Sequence, residues 1–255
     1  MEILVCVKRV PTVGGVLTLT ADERAIDTKT SGFTISPHEE CAVEEAVRLV
    51  ERFGGAVTVA SLGPVAAEEQ LRACLALGAS AAVLLETADG IETGPMATAA
   101  ALHALAAAGS FDLVLLGNEA SDTGDYQVGI RLAHLLGWPV ATGIKAIAAS
   151  GASLSASRTY RGVVETFTLP LPCVVTVREG INLPRYPSLP GRLRAKRASI
   201  ARVTVGESGS LTVSDVLMTR LRVPEAPRKQ ATVLGHGPDA VPALVSVLAE
   251  IGVLP

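Results

Sequence analysis

Asp112-Leu113-Val114-Leu115-Leu116 runs without a break into Gly117-Asn118-Glu119-Ala120-Ser121-Asp122-Thr123-Gly124-Asp125-Tyr126-Gln127-Val128-Gly129. The apolar run after Asp112 has the pattern of a strand covered on both faces. The Gly- and Asp-rich stretch behind it reads as a turn, and helical spacing of apolar residues resumes from about Tyr126 to Leu136. Buried strand, polar turn and helix in that order make one step of a parallel β-α-β crossover.

The same step repeats upstream. Ile3 to Val7 is an apolar run, followed by a helix over 40–53 with Ala42, Ala46, Leu49, Val50 and Phe53 at helical spacing. Ala56 to Ser61 reads as the next strand, Glu68 to Leu77 as a helix closed by Gly78, and Ala81 to Leu85 as a third strand. An Ala-rich helix from Thr93 to Ala108 then leads back to the strand at 112. This alternation predicts an α/β fold: a doubly wound, mostly parallel, Rossmann-like sheet with helices on both faces.

After Trp138-Pro139 the pattern changes. Residues 144–149, 153–160 and 163–169 are short and strand-like, with Gly151 and Gly162 as turn residues, which predicts a small antiparallel hairpin region over about 144–170. Cys173 to Val177 is another buried strand, and 180–199 reads as a loop rich in Pro and basic residues. We therefore expect one nucleotide-binding α/β domain over residues 1–200 and an extended C-terminal arm over 201–255, with one helix near Ala240 to Ile251.

Composition removes several function classes. Of 255 residues, 49% are hydrophobic but only 3% aromatic, so the core is built from Ala, Val and Leu. A formal net charge of -3 offers no general attraction to nucleic acid or anionic lipid. No apolar stretch approaches the length of a membrane span, and Met1-Glu2-Ile3-Leu4-Val5 reads as a strand rather than a signal peptide. Cys6, Cys41, Cys74 and Cys173 are scattered, which argues against a zinc site or a disulfide framework and for the reducing cytoplasm.

In an open parallel sheet, ligands bind beyond the carboxyl ends of the strands. Three such ends carry unusual residues: Lys8-Arg9-Val10-Pro11, Ser61-Leu62-Gly63-Pro64 and the turn from Gly117 to Gly129. That turn enters a helix, whose free N–H groups suit phosphate, and Gly124 permits close approach of backbone. An ordinary capping turn would carry the same Ser, Asp and Thr residues. Neither a GK[ST] triplet nor a GxGxxG after the first strand is present. No His-based catalytic motif surrounds His38, His103, His134 or His236. Glu39, Glu40, Glu44 and Glu45 read as a solvated helix start. The Pro- and Arg-rich loop at 182–197 suits a grip on another protein better than on nucleic acid.

Several blocks, in order along residues 3 to 200, resemble the electron transfer flavoprotein beta subunit. They include Val7-Lys8-Arg9-Val10-Pro11, Ala42-Val43-Glu44-Glu45-Ala46-Val47-Arg48-Leu49, Ser61-Leu62-Gly63-Pro64, Gln127-Val128-Gly129 and Leu136-Gly137-Trp138-Pro139. The most specific are Leu169-Pro170-Leu171-Pro172-Cys173-Val174-Val175-Thr176-Val177 and Pro184-Arg185-Tyr186-Pro187-Ser188-Leu189-Pro190. The resemblance implies a non-enzymatic electron carrier: half of a heterodimer with an alpha subunit that holds a redox-active FAD. The carrier would accept electrons from flavin dehydrogenases of the acyl-CoA dehydrogenase type and pass them to a membrane quinone reductase or similar acceptor. The arm from 201 would pack on the alpha subunit.

By position, the resemblance also implies an AMP site, or a second FAD site in the electron-bifurcating branch. Cys6, Val7 and Lys8 would lie along adenine and ribose, with Ser36 and Leu62 completing that end. Ser121, Asp122, Thr123, Gly124, Asp125, Tyr126, Gln127, Val128 and Gly129 would wrap the phosphates. Arg185, Tyr186 and Leu189 would form the partner-recognition loop, with Leu189 as anchor. The chain departs from the family pattern at Ser36-Pro37-His38 and at Asp122-Thr123-Gly124, so AMP and FAD both stay open. The nucleotide crevice alone also leaves open an adenine-nucleotide hydrolase or adenylate-transferring enzyme, with Asp122 or Asp125 as its carboxylate.

Overall fold

The computed structural model describes residues 1–12, 17–29, 31–88, 93–205, 218–224 and 231–254. The first compact unit spans Met1–Thr219. It opens with β1 (Glu2–Cys6), a short antiparallel pair of β2 (Val10–Pro11) and β3 (Phe33–Thr34), and helix α1 (Pro37–Phe53). Next come β4 (Ala56–Gly63), α2 (Glu68–Leu77), β5 (Ala81–Glu86), α3 (Pro95–Ala108), β6 (Leu113–Gly117) and α4 (Val128–Leu136). Then follow β7 (Val140–Ile144), β8 (Ala146–Ser150), β9 (Ser153–Tyr160), β10 (Val163–Pro170), β11 (Cys173–Val177), α5 (Leu189–Arg197) and β12 (Ala201–Thr204).

Seven strands form the main sheet in the order β12-β5-β4-β1-β6-β11-β7, and every pairing among the described residues is parallel. Strand β1 is central. Ile3, Leu4 and Val5 are fully buried, because one side chain in two faces each helical layer. Ile3 and Val5 pack with α1 and α2, while Leu4 and Cys6 pack with α3 and α4. Each fully buried Val, Leu or Ile contributes about 1.5–3 kcal/mol of transfer free energy. The two apolar layers are what hold the sheet between its helices.

The winding direction sets the site. From β1 the chain crosses to β4 and β5 over one face, then returns through α3 over the other face to place β6 on the far side of β1. Right-handed crossovers in opposite directions must use opposite faces. The helices therefore part between β1 and β6 at the carboxyl edge, which opens a crevice at that switch point.

The hairpin region appears as the antiparallel sheet β10-β9-β8. Two segments differ from expectation. Residues 180–199 are not all loop: α5 starts at Ser188, whose hydroxyl accepts from the Gly191 N–H, with Pro190 in the first turn where its missing N–H costs nothing. Residues 201–204, expected in the C-terminal arm, form the edge strand β12 beside β5.

The second unit spans Arg220–Pro255 and contains α6 (Val241–Glu250). No residue of α6 is buried, and Val241, Leu244 and Val245 are exposed. Residues 206–217 and 225–230 of the expected arm lie outside the described residues.

Candidate functional site

The crevice at the switch point has a volume of about 120 Å³ and opens to solvent. Cys6, Val7 and Lys8 form one wall, Leu116 to Ala120 the other, and Leu62 closes the end over β4. Thr93 lies just before α3, Pro95, Thr98 and Leu102 come from α3 itself, and Thr123 and Asp125 to Gly129 come from the turn into α4 and its first residues. An apolar floor of Leu62, Leu102, Leu116 and Val128 thus lies beside a polar rim, the usual form of a small-molecule site.

Two glycines let the elements around this crevice pack closely. A Cβ at Gly117 would lie 2.8 Å from Glu39 Cγ, and one at Gly129 would lie 2.4 Å from Thr176 Cγ2. Only glycine lets β6 approach α1, and α4 approach β11, this closely. Thr176 is locked in turn: its hydroxyl donates to Asn118 Oδ1 at 2.8 Å and accepts from the Gly143 N–H at 3.1 Å. The start of α4 has no side-chain cap, since Gln127 instead accepts from Arg131 through its amide oxygen. The first-turn amides are therefore available to an anion, as phosphate binding at a helix start requires.

Charge is concentrated at the β1 end. Lys8 Nζ grips both oxygens of Asp122, at 2.8 and 2.7 Å. Glu39 is buried and accepts from the backbone N–H of Lys8 at 3.0 Å and of Ser36 at 2.9 Å. Burial pushes its carboxyl up to about 8 despite these donors. At neutral pH Glu39 therefore carries mostly a proton and adds little negative charge to the crevice. Tyr126 sits at φ 58, a conformation uncommon outside glycine, and the Glu119 carboxylate beside its hydroxyl pushes the phenol up. Burial raises the Cys6 thiol, first by desolvation and then by Glu39, so it is neutral and unreactive.

Of the fourteen residues expected here from the sequence, Cys6, Val7, Lys8, Leu62, Thr123, Asp125, Tyr126, Gln127, Val128 and Gly129 line the crevice. Ser36 lies behind it: its Oγ accepts from the Ser121 N–H at 2.9 Å and donates to Ser121 Oγ at 3.3 Å, tying the turn to α1. Ser121, Asp122 and Gly124 shape the turn without lining it. Glu39, Thr93, Pro95 and Thr98 are additional lining residues. The reading of the Glu cluster as solvated is corrected by Glu39 and Glu44, which are buried because backbone N–H groups and arginines bond to them.

The comparisons with known proteins fit this geometry. The family model of the electron transfer flavoprotein domain matches residues 25–208. The human electron transfer flavoprotein subunit beta is 34% identical over 255 residues, covering 99% of this chain and 98% of its own. The chain belongs to the electron transfer flavoprotein beta-subunit family. Other relatives are electron transfer flavoprotein subunit beta of Bacillus subtilis, 38% identical over 68% of each chain, and a rice protein of that name designated mitochondrial. The rice protein is 36% identical over 92% of this chain and 93% of its own.

As a member of the electron transfer flavoprotein family, the chain is an electron-carrier subunit rather than an enzyme. Its α/β architecture, a parallel sheet with small antiparallel additions, is the one the sequence pattern predicts. Among the described residues, no group of three or more His, Cys, Asp or Glu side chains is placed to hold a metal ion. No described helix is long and apolar enough to cross a membrane.

Proposed function

We propose that this chain is the beta half of a heterodimeric electron transfer flavoprotein and that its crevice holds an adenine nucleotide. The observation that carries the reading is the crevice itself. It lies at the β1/β6 switch point, with an apolar floor, Lys8 on its wall and an uncapped helix start. The fit is favourable, because the lining joins an apolar floor to a polar rim and to the uncapped start of α4. Leu62, Leu102 and Leu116 would cover the adenine ring, and the turn from Ser121 to Gly129 would bond the phosphates.

The nucleotide is AMP, or a second FAD in a bifurcating carrier. The redox-active FAD belongs to an alpha subunit and supplies the one- and two-electron chemistry when bound. This chain contributes the wall that excludes water and fixes distances. Electrons come from flavin dehydrogenases of the acyl-CoA dehydrogenase type and leave to a membrane quinone reductase or similar acceptor. Docking uses the loop carrying Tyr186 and Leu189, which are 94% and 72% exposed. Helix α6, only ten residues long with no buried face, needs a second surface to be stable, and the alpha subunit is that surface. Four free, buried cysteines are in keeping with the cytoplasm.

The test is to co-express the chain with an alpha-type subunit, purify the complex, denature it and quantify released nucleotides by mass spectrometry. One FAD and one AMP per heterodimer is the expected result. Two FAD would assign a flavin to this crevice. No complex, or no nucleotide beyond the alpha subunit's FAD, would overturn the reading.

A further inference from the structure

Between β11 and β12 the chain must cross from one side of the sheet to the opposite edge, past β6, β1, β4 and β5. It makes this crossing over the face covered by α1 and α2, and both helices bind it. At the start, Asn182 Nδ2 donates to the Cys41 carbonyl at 3.0 Å and to Glu45 Oε2 at 2.9 Å. At the end, Arg72 Nη1 donates to the carbonyls of Ala195 and Ala198, both at 2.9 Å.

Arg185 sits in the middle, and its charge is fully engaged. Its Nε and Nη2 donate to Glu44 at 2.9 and 3.2 Å, and its Nη1 and Nη2 to Glu51 at 2.6 and 2.9 Å. Its backbone N–H also reaches Glu44 at 3.2 Å. The Glu44 side chain is only 3% exposed and is shared with Arg48 Nε at 2.6 Å. A guanidinium held by two carboxylates in this way has few N–H groups left for a partner protein. The neighbouring apolar side chains, Leu183, Tyr186, Leu189 and Leu193, instead project into solvent.

We propose that Arg185 is a positioning residue and not a contact residue: with Glu44 and Glu51 of α1 it holds the 182–188 segment in its docking shape before a partner arrives. A preshaped loop loses less conformational entropy on docking, so the clamp acts on affinity and leaves the electron-transfer step alone. The inference rests on the docking reading given above.

The experiment uses the heterodimer with its alpha subunit and a substrate-reduced acyl-CoA dehydrogenase as donor. KM for the heterodimer, kcat, nucleotide content and amide exchange over 183–187 are measured. Arg185→Ala should raise KM about tenfold with kcat and nucleotide content unchanged, and should speed exchange in the segment. Arg185→Lys, which keeps the charge but loses the fork, should recover part of the loss.

The deciding variant is Glu44→Gln/Glu51→Gln, which leaves Arg185 in place but releases it. Positioning predicts a raised KM and faster exchange there as well. If Arg185 contacts the partner, releasing it leaves KM unchanged or lowers it, and the proposal is overturned. Leu189→Ala separates the two layers of argument: it should raise KM while leaving exchange slow. Unchanged KM in Leu189→Ala would remove the docking reading itself and the positioning role with it.

Discussion

Lys8 and Asp122 show how one side chain can prepare a site and also compete for it. Their bidentate pair keeps the Lys8 amine at the crevice wall, where a phosphate would exchange with the carboxylate. Lys8→Met should weaken AMP binding by about 1.5–3 kcal/mol, the worth of a charged hydrogen bond, as read by calorimetry on the nucleotide-stripped heterodimer. Asp122→Asn should tighten AMP by no more than about fivefold, since partly exposed pairs contribute only about 0–1 kcal/mol. Glu39 gives the site a pH dependence with a defined sign. Its folded value, about 8, is raised from the ordinary 4.5, so the protonated form is the one favoured by folding. Its stabilising contribution is complete below 4.5 and is lost as the pH rises through about 8. Nucleotide affinity should fall over the same upper range as the carboxylate ionises. Glu39→Gln should abolish that slope in urea melts. It should also cost about 1–3 kcal/mol, because an amide nitrogen would face one of the two N–H donors.

At the scale of elements, what was legible followed burial. Strands β1, β4, β5, β6 and β11 were readable because double coverage demands mostly apolar runs, α1, α2 and α4 because each shows one apolar face, and α3 because it is rich in Ala. Strand β7 was not readable: Val140–Ile144 contains Gly143 at φ 68, and its pairing with β11 shifts register there. Helix α5 was hidden by Pro190 and four basic residues, which resemble a loop unless Ser188 is recognised as its cap. In the site, the strand ends were legible from their Gly, Lys and Asp residues. The contribution of α3 was not, because Thr93, Pro95 and Thr98 look like any helix start. Likewise, nothing in a run of glutamates says which ones turn inward to backbone or arginine. The α4–β11 contact makes a prediction of its own: Gly129→Ala sets a methyl against Thr176 and should cost about 1–3 kcal/mol in thermal unfolding. The loop clamp should also fail in acid. Burial alone would raise Glu44, but the bonds from Arg185 and Arg48 hold it below 4.5, and Arg185 likewise lowers Glu51. Their contribution is present above 4.5 and is lost as the pH falls through the lower folded values. The Arg185 Nε–H resonance should stay protected at neutral pH and broaden out in acid below 4.5.

At the scale of the whole molecule, the sheet is well buried, whereas no residue of α6 is. An exposed ten-residue helix is marginal in water, so α6 should exchange its amides quickly in the isolated chain and become protected in the heterodimer. Equal protection in both would mean that it does not depend on a partner. The central place of β1 has a different consequence, which is felt during synthesis. Its first neighbour, β4, follows within sixty residues, but Ile3 pairs on its other side with Leu113. At about 5–20 residues per second, a ribosome leaves that edge of β1 uncovered for roughly 5–20 s. Throughout that interval the nascent chain displays an unpaired apolar strand edge, which makes this a stage at which misassembly can start.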